Sequence, residues 1–135
     1  MKMDQERKAF SIIELMVVIL IVGVLAAATV PIFRAKTRHA EWSEAAASAG
    51  SIRQALRTYY AEDPIGAMAM QGSTVDSIQE TLGFLLGDLT GRYFQASNFT
   101  ITAIDGNGLA TVTVAAPTGL SGSAVLNSAG WVYTP

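Results

Sequence analysis

The run from Phe10 to Phe33 constrains this chain more than any other feature: it is apolar throughout and holds one charge, Glu14. A helix crossing hydrocarbon needs roughly 20 predominantly apolar residues, so the run is long enough to span a bilayer. A carboxylate there costs about 2.5–3.5 kcal/mol on insertion scales, and so requires a partner or a task. A cleaved secretory signal is the competing reading, because Leu25-Ala26-Ala27-Ala28 has the small residues of a cleavage site. No turn signal precedes Pro31, however, and helical character resumes after it, which favours an anchor. Lys2, Arg7 and Lys8 precede the run and Arg34, Lys36 and Arg38 follow it, so the positive-inside comparison is a tie and leaves orientation open.

Beyond the anchor, residues 34–135 are about a hundred residues, enough for one modest core. Helical pattern continues to about residue 62. Trp42, Ala45, Ala49, Ile52, Leu56 and Tyr59 recur at spacings of three and four and form one apolar seam. Glu41, Glu44, Arg53 and Arg57 lie off it. A core face against a sheet is the simplest use of such a seam. The helix stops at Asp63-Pro64, since proline disfavours helical geometry in the residue before it.

Residues 63–92 read as a connector. The stretch Ile65 to Gly72 has no stable period and reads as loop. A short helix is expected within Ser73–Leu82, with Ser73-x-x-Asp76 and Ser77-x-x-Glu80 as competing capping boxes. Met68 and Met70 read as gap fillers at a core edge or interface. Residues 93–135 read as sheet: Phe99–Ile104 and Leu109–Val114 alternate, and Asp105-Gly106-Asn107-Gly108 between them is a hairpin turn. Further strands are expected near Ser123–Leu126 and at Gly130–Tyr133. The fold class is α+β, a long N-terminal helix packed on a C-terminal antiparallel meander.

No catalytic constellation is present. His39 is the only histidine and there is no cysteine, so neither a disulfide staple nor a thiol or paired-histidine metal site is available. Asp105-Gly106-Asn107-Gly108 lacks the later acidic ligand of an EF-hand loop, and no metal or cofactor is implied. Charge is polarised: Arg34, Lys36 and Arg38 form a basic collar, which suits either anionic headgroups or acidic neighbours. Beyond it, Arg53, Arg57 and Arg92 face an excess of Asp and Glu, which argues against a nucleic-acid partner.

The stretch Lys8-Ala9-Phe10-Ser11-Ile12-Ile13-Glu14-Leu15-Met16-Val17-Val18 resembles the class III signal of type IV prepilins and type II secretion pseudopilins. The resemblance covers roughly the first quarter of the chain. It implies a leader of residues 1–9, cut by a prepilin peptidase between Ala9 and Phe10, and N-methylation of Phe10. The family favours glycine before the cut; this chain has Ala9. Residues 10–33 would form the membrane and filament-core helix, Glu14 matching the family's glutamate, Gly23 its mid-span glycine and Pro31 its helix-kinking proline. Glu14 then has two readings: it pairs with the new amine of a neighbouring subunit and fixes register, or it snorkels to the near headgroups. Pro31 also has two: a boundary, or with Gly23 one end of a stretch that loosens on leaving lipid.

The implied function is a structural subunit of a type IV pilus-like filament. Its partners would be further copies, other pilin-like subunits, an inner-membrane assembly platform and, before assembly, membrane lipid. It would sit in the inner membrane as a single-pass protein with its head outside the cytoplasm, and then in a surface or periplasmic filament. A type II secretion pseudopilin and a membrane-tethered binding domain that does not polymerise are the alternatives. An enzyme is not expected.

Overall fold

The structure, a computed structural model, describes residues 10–135. The expected leader, with Ala9 of the cleavage pair, lies outside the described residues. The chain divides into two units, Met1–His39 and Ala40–Pro135. Helix α1 (Ile12–Glu62) contributes to both, and is followed by α2 (Pro64–Ala69), α3 (Val75–Ile78), a 3-10 turn (Ala96–Asn98) and strands β1 (Phe99–Ile104), β2 (Ala110–Ala115), β3 (Ser123–Asn127) and β4 (Gly130–Thr134). The architecture is therefore α+β, a long helix followed by a sheet.

In the first unit α1 continues through Pro31. Proline lacks the N–H that would reach the carbonyl of Ala27. Just upstream, the Thr29 hydroxyl donates to the Leu25 carbonyl at 2.6 Å, and Thr37 donates to Phe33 at 3.0 Å. Such back-bonding to the preceding turn satisfies the hydroxyl within the helix.

The second unit is built on the later part of α1. Trp42, Ala45, Ala49, Ile52 and Leu56 are buried, and Tyr59 is half-buried against the same cluster. They meet a four-stranded sheet of order β1-β2-β3-β4, antiparallel throughout. Each strand follows its neighbour in sequence, so short turns suffice. In the first hairpin, Asp105 Oδ1 accepts from the N–H groups of Asn107 and Leu109 at 2.9 and 2.7 Å. This Asx-type bonding gives the turn its shape and occupies the carboxylate.

Simple alternation along β1 would turn Phe99, Ile101 and Ala103 inward. The buried residues are Phe99, Ile101 and Ile104 instead. The register shifts between Ile101 and Ala103, so Thr102 is an extra residue in the ladder. A bulge of this kind resets the two-residue period and turns the larger Ile104 into the core. Thr102 Oγ lies 2.9 Å from the Thr113 hydroxyl and donates to the Thr111 carbonyl at 3.1 Å.

The connector departs from its expected form. The segment read as loop contains α2, started by Asp63, whose Oδ1 accepts from Gly66 N–H at 2.9 Å, with Pro64 in the first turn. A side-chain cap followed by proline is a strong helix start, and it outweighs the weak periodicity of six residues. Neither expected capping box forms in α3: Thr74 occupies the cap position without a side-chain bond, and the Ser77 hydroxyl instead donates back to the Thr74 carbonyl at 2.7 Å. Met70 is buried while Met68 is exposed. The connector also covers the free edge of β1, where Ile101 N–H donates to Ser73 O at 3.0 Å and Gly72 N–H to Ile101 O at 2.7 Å. An uncovered edge would offer those groups to another strand.

Candidate assembly site

The candidate site is the start of α1 and the apolar surface that follows. Ser11 stands immediately before the helix. Its hydroxyl accepts from Glu14 N–H at 3.2 Å, and Glu14 Oε2 accepts from Ser11 N–H at 2.8 Å. This is a reciprocal capping box, serving two of the donors that a helix start leaves unpaired. The carboxylate also sits in the first turn, where the helix dipole favours negative charge. Glu14 thus has a partner inside its own chain. The Ser-x-x-Glu spacing before an apolar run is the signal that would have exposed this role.

Around that cap the surface is bare. Phe10, Ile12, Ile13, Leu15, Met16 and their successors to Phe33 are all exposed. The most apolar eighteen-residue window of α1 has a mean hydropathy of 2.8, and none of it is buried. The helix is therefore long and apolar enough to cross a membrane. Gly23 lies within this surface, and a Cβ built there meets nothing within 4 Å. No packing inside the chain requires glycine at that position. Pro31 is likewise exposed.

In the second unit, two charged residues that lie off the apolar seam turn out to tie it shut. Arg53 Nε donates to the Ala110 carbonyl at 3.0 Å and its Nη2 to the Asn127 carbonyl at 2.7 Å. One guanidinium thus joins the helix to the start of β2 and the end of β3. Burial pushes its pKa down from the usual value, but arginine remains charged at physiological pH. Glu44 Oε1 accepts from the N–H groups of Tyr93 and Phe94 at 2.9 and 3.0 Å, fixing the end of the connector. A Cβ at Gly91 would push the Glu44 carboxylate from this position, so glycine there leaves room for its two bonds. These partners lie far apart in sequence, and no local pattern announces them. Among the described residues, Glu41 Oε2 and Trp42 Nε1 are buried without a hydrogen-bond partner.

The Arg53 bonds carry a testable consequence. Arg53→Met should keep the aliphatic stem but leave two carbonyls without their charged donor, costing about 2 kcal/mol. Arg53→Lys should recover only part of this, because an ammonium cannot fork to both carbonyls. Denaturant titration of the three proteins checks the order; equal midpoints would remove the clamp from the account.

His39 is exposed, and no group of three or more His, Asp or Glu poised to hold a metal occurs among the described residues. What the first unit offers is a long, uncovered apolar surface. A capped, uncovered apolar helix continuing into a closed α+β head defines the class of protein.

Comparison with known proteins places it further. Residues 5–30 match the family model of the prokaryotic N-terminal methylation motif. The chain is 32% identical over 113 residues to a fimbrial protein of Neisseria meningitidis serogroup A, an alignment covering 84% of this chain and 58% of the relative. It is 38% identical over 60 residues to fimbrial protein EcpC of Eikenella corrodens, covering 44% of this chain and 39% of the relative. It is 43% identical over 58 residues to type IV major pilin protein PilE1 of Neisseria gonorrhoeae, covering 43% of this chain and 35% of the relative. The alignments thus span less than two thirds of each of these relatives. No solved structure matches the chain significantly. These matches support the type IV pilin family, and the matched relatives are structural pilins rather than enzymes.

Proposed function

We propose that this chain is a structural subunit of a type IV pilus-like filament. One observation carries the reading: the apolar surface from Phe10 to Phe33 is exposed along its whole length, while the head closes its own core. Apolar surface on that scale requires cover, and lipid and the same helix of neighbouring copies both supply it. A chain that moves between the two covers is a membrane-anchored precursor and then a polymer.

In this reading a prepilin peptidase removes residues 1–9 by cutting between Ala9 and Phe10, and Phe10 is N-methylated. Glu14 sets the register of the incoming subunit against its neighbours. The low helix propensity of Gly23 and the lost backbone bond at Pro31 make the stretch between them the easiest part of the helix to loosen. An inner-membrane platform adds subunits, and the head, outside the cytoplasm, ends on the fibre surface.

Intact-mass measurement of sheared surface material is expected to give a chain beginning at N-methylated Phe10. A mature chain beginning near Thr29 would establish a secretory signal and overturn the proposal. Retention of the whole protein in the membrane fraction as a monomer, with no fibre depending on its gene, would establish a tethered domain instead.

A further inference from the structure

The connector presents an apolar tip that the head does not use. Leu85 and Leu86 are 74% and 76% exposed. They are held firmly nonetheless: Leu85 N–H donates to Asp88 Oδ2 at 2.9 Å and Asp88 N–H to the Leu85 carbonyl at 3.1 Å. Gly87 has φ of 101°, the positive angle that a turn of this kind asks of its third residue. Buried Leu82 and Leu89 pin the turn to the core on either side. Glu80, Gly83 and Phe84 complete a shallow groove with the two leucines. An apolar pair on a pinned turn, bordered by the carboxylates of Glu80 and Asp88, is a surface made to be covered.

We propose that this tip docks on the basic collar of a second copy of this chain. The collar supplies matching chemistry. Ile32 and Phe33 are 63% and 71% exposed, and Arg34, Lys36 and Arg38 beside them are exposed too. Apolar side chains bordered by acids on one copy meet apolar side chains bordered by bases on another, so charge selects the pairing that hydrophobic contact stabilises. The acids also exclude an anionic bilayer as the occupant, since its surface potential repels them. Two leucines fall far short of the 1,200–2,000 Å² or so that a stable isolated complex buries. The contact therefore acts as one repeated element of an assembly in which other surfaces already hold the copies together. It rests on the filament reading and adds to it a contact between one copy's head and the far end of another copy's core helix.

The chain contains no cysteine, so any disulfide must come from residues placed for the purpose. Full-length Leu86→Cys/Lys36→Cys and Leu86→Cys/Phe33→Cys variants, each as the sole copy, are sheared from cells, oxidised mildly and run without reductant. At least one pair should give a ladder of multimers, while the three single variants should not. Fibres from both pairs without a ladder would overturn the contact and leave the filament reading intact. Failure of the wild-type chain to form fibres would overturn both. A second variant guards against pairs that fail to assemble. Leu85→Ser/Leu86→Ser should reach the membrane at the wild-type level and keep its circular dichroism in detergent, yet yield fewer fibres by at least about tenfold, which even half-covering the two leucines in the contact implies. Wild-type fibre yield from this variant would refute the proposal.

Discussion

Glu14→Ala is expected to leave the protein in the membrane and abolish its incorporation into fibres. Insertion should not suffer, since removing a carboxylate from lipid lowers the cost of crossing. What is lost depends on which of two tasks the carboxylate performs. Within the chain it closes a capping box with Ser11. Between chains, in the proposed filament, it opposes the amine that cleavage creates on a neighbour. Glu14→Gln separates the two, because glutamine keeps the acceptor at Ser11 N–H but carries no charge. Ser11→Ala does the reverse, weakening the cap by about 1 kcal/mol while retaining the charge. If charge sets register, Glu14→Gln assembles as poorly as Glu14→Ala, and Ser11→Ala assembles nearly as well as wild type. Abundant fibres from Glu14→Gln, in a strain without the wild-type subunit, would reduce Glu14 to a helix cap.

The second large effect is expected at Phe94. Its ring is buried, with centroids 5.1 Å from Trp42 and 6.2 Å from Phe99, and Trp42 in turn lies 4.8 Å from Tyr133. These four aromatics join the helix, the end of the connector and both outer strands of the sheet. The Phe94 backbone is committed as well: its N–H donates to Glu44 and its carbonyl accepts from Gly91 N–H at 2.8 Å. Neighbours tied on both sides collapse poorly into a vacated space. Phe94→Ala should therefore cost about 3–5 kcal/mol. A domain of this size has only about 5–15 kcal/mol in total, so the variant should be close to unfolding at growth temperature. Chemical denaturation of full-length protein in detergent, followed by the fluorescence of Trp42 and Trp131, measures the loss. A cost below about 1 kcal/mol would mean that the aromatic contacts add little to the core.

Much of the fold was legible because its signals are local and periodic. The seam from Trp42 to Tyr59 follows helical spacing, the Asp-Gly-Asn-Gly turn joins two alternating segments, and Asp63-Pro64 marks the end of α1. The same Asp-Pro pair also starts α2, whose six residues are too few to show a period. The bulge at Thr102 was hidden for a different reason: register depends on what the partner strand presents, which alternation within one strand does not encode. At the candidate site, the lone acid in an apolar run marks Glu14, while the capping role of Ser11 three residues earlier shows in the folded helix start. In the sequence, Arg53 and Glu44 show only as charges off the apolar seam. Their partners lie 57 and 74 residues, and 49 and 50 residues, along the chain. Only the folded arrangement brings them together.

Those two residues also decide how the head responds to its surroundings. Arg53 and Glu44 close it through non-covalent bonds that form and break with the fold itself. Folding of this head consequently needs no oxidant and no disulfide isomerase, and it has no wrong pairing of thiols to escape. Its native state is the same thermodynamic choice on either side of a membrane, in a reducing or an oxidising compartment. In the proposed filament, a subunit still held in the bilayer would carry a head that can unfold and recover without leaving a chemical record.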